Sequence, residues 1–141
     1  THVVKPAAGV PVDALIALSL SPQGEPQFLG QTEVSAAWRT SAALVVLSGC
    51  ASGDATARRG VGLEGMTRAW LAAGAASVVA SYWPTPDNSA AFFGEFYAAL
   101  QAGDSEGAAG ALRSAQRRMI AAGDWRSDPR YWASYFVIGR W

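Results

Sequence analysis

Apolar positions run along this chain in two alternating rhythms. Residues 14–20 are apolar but for Ser19 and too short for a surface helix, so they predict a buried strand. The breakers Ser21-Pro22-Gln23-Gly24 predict a hairpin-like turn into a short extended piece at 27–29. Thr32 then stands where an N-cap would open a short helix carrying Glu33, Val34 and Trp38, with Glu33 favourably placed at the positive end of the helix dipole. The clearest strand signal is 43–48, where aliphatic residues stop abruptly at Gly49-Cys50-Ala51-Ser52-Gly53. Cys50 is therefore expected just past the carboxyl end of a strand.

Residues 54–60 are small, polar or basic without a period and predict an exposed loop. A helix follows, with Met66, Ala69, Trp70, Leu71 and Ala73 on one face and Gly74 as its stop. A second buried strand spans 76–82 and ends at Trp83-Pro84-Thr85-Pro86, so strand, helix and strand predict a right-handed crossover. Asp87 or Asn88 caps the next helix, in which Phe92, Phe93, Phe96, Tyr97 and Leu100 recur at helical spacing. Ser105 and Glu106 open another, with Ala109, Leu112, Gln116 and Met119 inward and Gly123 at its end. A final strand is expected within 131–138. No repeat or low-complexity tract interrupts this order, which predicts an α/β layer built on a mostly parallel sheet.

Composition narrows the picture. Of 141 residues, 50% are hydrophobic and 16% charged, enough for one packed core and not for two. The chain opens Thr1-His2-Val3-Val4 without an initiator Met, which suggests a piece of something longer. Eleven basic residues balance eleven acidic ones, so no net field draws the protein to nucleic acid or to an anionic membrane. No aliphatic run approaches the roughly 18 residues of a membrane span, and no leader resembles a signal peptide, so a soluble cytoplasmic protein is the expectation. The single cysteine excludes an internal disulfide and any multi-cysteine zinc site.

Two residues remain for nucleophilic chemistry. A free thiol titrates near ~8.5, so Cys50 needs a neighbouring base to become an efficient nucleophile. His2 is the sole histidine, so any Cys/His dyad is this pair. His2 is expected at the end of the strand preceding that of Cys50, or in the loop just after it. Small residues around Cys50 leave backbone N–H groups free to hold an oxyanion. Burial tendency alone favours packing over chemistry for a lone cysteine, and solvation for a lone histidine near a chain end. Gly60-Val61-Gly62-Leu63-Glu64-Gly65 also matches a dinucleotide-binding fingerprint, with Asp87 further on. That fold needs the glycines directly after the strand, and residues 49–59 intervene, so helix start and close packing explain them better.

The string Leu44-Val45-Val46-Leu47-Ser48-Gly49-Cys50-Ala51-Ser52-Gly53 resembles the nucleophile strand of CHAT domains, and its Gly-Cys-x-Ser-Gly core is similar to that of separase. Residues 62–75 resemble the family's next helix, Ser77-Val78-Val79-Ala80-Ser81-Tyr82-Trp83-Pro84 its next strand, and Tyr131-Trp132-Ala133 its closing segment. The resemblance implies the carboxy-terminal part of one caspase-like domain over residues 1–141: a mostly parallel sheet flanked by helices and lacking its amino-terminal strands. It implies a cysteine endopeptidase with His2 as base and Cys50 as nucleophile. The backbone N–H groups of Val3 and Cys50 would form the oxyanion hole, Val3 standing where the family usually has Gly. Asp87 would bind a basic P1 side chain, with helix capping its alternative role, while Ser81 and Tyr82 would edge the groove of an extended substrate. The implied partners are a protein or peptide substrate and tetratricopeptide repeats or other domains of a full protein, in bacterial regulation, defence or cell death. No metal or organic cofactor is implied. Arg58-Arg59 lie where caspase relatives are often cut, which raises self-processing against an ordinary basic loop. A latent scaffold that binds partners without proteolysis is the competing function.

Overall fold

The computed structural model describes residues 2–4, 15–48, 63–83, 85–86, 88–103 and 107–140. Among these residues it is a mixed α/β structure with two three-stranded sheets. In the first, β1 (His2–Val4), β2 (Leu15–Leu20) and β3 (Pro26–Gly30) lie side by side with β2 in the middle. The predicted strand and hairpin are both present, but the strand is not buried along its length: Ile16 is enclosed while Leu18 and Leu20 are exposed. Ser21 closes the turn by accepting the Gly24 N–H on its carbonyl at 2.9 Å, while its hydroxyl accepts the Gln23 and Glu25 N–H groups. A tight turn reverses the chain, so β2 and β3 pair antiparallel, as β1 and β2 also do.

Helix α1 (Gln31–Ala37) starts one residue before Thr32. Glu33 supplies the cap by reaching back to accept the Gly30 N–H at 2.9 Å, so the expected Thr32 cap gives way to a carboxylate that bonds as well as meeting the dipole. Strand β4 (Leu44–Val46) leads towards helix α2 (Leu63–Ala72), whose stop is Gly74 at φ +111°. A Cβ there would run into the Thr40 carbonyl oxygen, so glycine is required both by conformation and by space.

The second sheet has the order β4-β5-β6, with the fully buried β5 (Ser77–Ser81) in the centre and β6 (Tyr135–Gly139) at one side. Strands β4 and β5 are parallel, Leu44 opposite Ser77 and Val46 opposite Val79. Between β5 and β6 come α3 (Ala90–Ala102) and α4 (Gly107–Ala121), linked by an ion pair between Glu95 and Arg118 at 2.9 Å. This helical hairpin brings the chain back to the carboxyl end of β5, so β6 starts there, Tyr135 opposite Ser81, and runs antiparallel.

The expectation of a mostly parallel sheet is therefore corrected. Among the described residues one ladder is parallel and the others are antiparallel, because a tight turn and a two-helix return each reverse the chain where a single crossover helix would not. The final strand is also shorter than expected. Residues 125–131 form two 3-10 turns, capped by the carboxylates of Asp124 and Asp128, and Pro129 sits at the start of the second. The helix start expected at Ser105 and Glu106 lies outside the described residues, as does the 54–60 loop.

Two cores flank the β4-β5-β6 sheet. On one face Val79, Tyr135 and partly buried Val46 and Val137 pack against Phe92, Phe93, Phe96, Ala111, Ala115 and Met119 of α3 and α4. Burying a side chain of this size contributes about 1.5–3 kcal/mol each. On the other side Ile16 and Leu29 of the first sheet meet Val34 of α1 and Met66, Ala69 and Ala73 of α2, with Leu47 at the margin. Leu47 thus ties the end of β4 to the first sheet's core.

Candidate active site

A parallel pair ends with both carboxyl edges on the same side, where the loops that follow converge. The β4–β5 ladder continues one step past Val46, the Leu47 N–H donating to the Val79 carbonyl at 2.8 Å. Ser48 comes next and is exposed. Cys50 follows two residues later, outside the described residues, as do Arg58, Arg59 and Asp87.

Strand β5 ends beside β4. Ser81, expected at a groove edge, is only 1% exposed, whereas its neighbour Tyr82 is 57% exposed. The Tyr82 N–H donates to the Ser134 carbonyl at 2.9 Å, which pins the strand end to the entry of β6. The Tyr82 ring stacks on Phe136, centroids 4.1 Å apart and planes 23° from parallel, and lies 6.5 Å from the Trp83 ring. Trp83 is 42% exposed. Three aromatic rings thus form an accessible ledge at the carboxyl end of β5. Trp83 and Phe136 were not singled out from the sequence as site residues. The signal for Phe136 was strand alternation: it follows Tyr135, which turns into the α3/α4 core, so it belongs on the opposite face.

His2 opens β1, opposite Ala17 of β2, and Val3 lies opposite Ile16. His2 is therefore the first residue of its strand and not at a carboxyl end or in a following loop, because Val3 and Val4 continue the strand and pair with apolar β2. Strands β2 and β3 and helix α1 come between it and β4 in the chain. Of the residues expected to act together, Ser81 and Tyr82 are brought side by side.

Among the described residues no three His, Cys, Asp or Glu side chains cluster as a metal site would need, and no helix is long and apolar enough to cross a membrane. The resolved shifts in acidity lie elsewhere, before β6. Hydrogen bonds from Arg126 hold the Asp124 carboxyl below its ordinary value, and those from Arg130 do the same for Asp128.

The family model for the CHAT domain matches residues 7–140, nearly the whole chain. The chain belongs to the CHAT domain family. CHAT domains are a caspase-like family often linked to peptidase function. Cys50, Ser81, Tyr82 and Asp87 fall inside the matched segment, and His2 and Val3 precede it. No curated protein matches the chain significantly.

Proposed function

We propose that this CHAT domain is a cysteine endopeptidase with Cys50 as its nucleophile and His2 as its base. The observation that carries the reading is that Cys50 lies inside the family match, four residues in sequence after Val46, the last residue of β4, whose pairing with β5 is parallel. His2 takes the thiol proton, and the thiolate sulfur attacks the scissile carbonyl carbon. The resulting oxyanion is held by the backbone N–H groups of Cys50 and Val3. The tetrahedral intermediate expels the amine as the imidazolium returns its proton, leaving an acyl-enzyme. Water, deprotonated by His2, hydrolyses that thioester and restores the thiol. The residues need no metal or organic cofactor for any of these steps.

In this reading Asp87 recognises a P1 Arg or Lys by a charge-assisted pairing, and an extended substrate runs along the edge at Ser81 and Tyr82. The caspase-like sheet would be completed by strands supplied upstream or by another segment. Tetratricopeptide repeats or further domains would present substrates, in a cytoplasmic bacterial regulatory, defence or cell-death setting. Self-processing after Arg58 or Arg59 belongs to the same proposal.

A second reading, a partner-binding scaffold without proteolysis, is favoured by one observation: His2 is held in a strand pairing and precedes the family match. A fluorogenic panel with Arg, Lys or Asp at P1 separates the two. Hydrolysis of the Arg and Lys peptides that disappears in Cys50→Ala supports the peptidase; identical traces from wild type and Cys50→Ala support the scaffold.

A further inference from the structure

Helix α4 contains Arg113, Arg117 and Arg118 and no acidic residue within its span. Three arginines are ion-paired, Arg118 with Glu95, Arg126 with Asp124 and Arg130 with Asp128, each within 2.9 Å, while Arg39, Arg68 and Arg140 make no ion pair among the described residues. Arg113 and Arg117 are exposed and make no ion pair or side-chain hydrogen bond among the described residues. Four residues apart, they lie one turn from each other on the same face, where like charges repel. The negative end of the helix dipole explains a cation at 117 or 118, close to the last turn, but not one at 113. Ile120 continues the face at the next turn and is 51% exposed, although the helix's other large apolar residues, Leu112 and Met119, are buried. Positions 113, 117 and 120 thus make a short stripe of two unanswered cations and an apolar residue, turned away from the α3 and β6 contacts.

We propose that this stripe docks an acidic segment of a partner protein that also carries an apolar anchor, two carboxylates meeting Arg113 and Arg117 and an aliphatic side chain covering Ile120. Charge complementarity selects the acidic segment, and the spacing selects a ligand that presents its groups over about two helical turns, roughly 10 Å. Two cations and one aliphatic side chain are too few for stable attachment to an anionic bilayer, which takes a cluster of basic residues or a second anchor. They also neutralise too few phosphates to hold nucleic acid at ordinary salt. The surface lies on α4 and does not depend on the thiol chemistry proposed above.

The test uses the full chain as Cys50→Ala, so that no peptide is cleaved. A fluorescein-labelled helical peptide with two glutamates four positions apart and a leucine three positions beyond is titrated by anisotropy, beside a copy with lysines for the glutamates. The proposal expects saturable, salt-sensitive binding of the acidic peptide alone. It expects at least about a tenfold loss of affinity in R113A/R117A, a smaller loss in Ile120→Ser, and little change in Arg118→Ala, whose cation is already paired. Circular dichroism of each variant should match the parent. Absence of binding, equal binding of the lysine peptide, or an R113A/R117A variant that binds like the parent would overturn it. So would co-sedimentation with phosphatidylcholine and phosphatidylserine vesicles that depends on the same two arginines while the peptide does not bind.

Discussion

The ring of Tyr82 rests on that of Phe136 at 4.1 Å, joining the end of the central strand to the start of its antiparallel neighbour. Beside it the Tyr82 N–H is held by the Ser134 carbonyl. One exposed aromatic is thereby fixed twice, once through its backbone and once through its ring. A double-mutant cycle on Tyr82→Ala and Phe136→Ala should give a coupling of about 0.5–1.5 kcal/mol in urea unfolding, the range expected of a stacked pair beyond its buried area. Additive effects would mean that the ledge is not held by stacking.

The packing of α3 on the central sheet rests on rings with no exposure at all. Phe96→Ala should destabilise the protein by about 3–5 kcal/mol, and Ile120→Ala by well under 1 kcal/mol because it stands half in solvent. Midpoints of chemical denaturation measure both.

Glycines 74 and 103 both have positive φ, yet they should respond differently to alanine. At Gly103, φ +69°, a Cβ meets nothing, and the cost is the conformational one, about 1–2 kcal/mol. At Gly74 the Cβ also meets the Thr40 carbonyl oxygen, itself part of the segment that delivers β4. Gly74→Ala should therefore lose clearly more stability than Gly103→Ala in the same unfolding assay.

Acidification should release the turns before β6. Arg126 hydrogen bonds stabilise the charged form of Asp124, and Arg130 does so for Asp128, so both folded-state values lie below the ordinary 3.8. Their contribution is present above the unfolded-state value and is lost as pH falls through the lower folded one. Carboxyl-carbon NMR titration should show Asp124 returning to its ordinary value in Arg126→Ala while Asp128 keeps its shift.

Much of this layout was readable from residue order. Continuous aliphatic runs gave β2, β4 and β5, and helical spacing gave the buried faces around Met66, Phe92, Phe96 and Met119. Strand direction was not readable, because it depends on how many elements return the chain, and two helices before β6 reverse it where one would not. The Gly30 cap is not legible in residue order, where Glu33 shows only as a charge near a dipole; the fold is what lets its carboxylate reach back to the Gly30 N–H. At the candidate site, the sequence pointed to Ser81 and Tyr82 together, but strand alternation separates them: one is enclosed and the other open. Phe136 escaped notice because its role depends on a partner more than fifty residues away.

The central claim, a thiolate at Cys50 raised by His2, is most directly tested by the pH dependence of alkylation, since the chain has one cysteine and the signal has one source. With iodoacetamide and mass-spectrometric detection, the dyad predicts rapid labelling that persists well below the ~8.5 of a free thiol, and a shift back towards that value in His2→Ala. A wild-type profile centred near ~8.5 and unchanged by His2→Ala would contradict it.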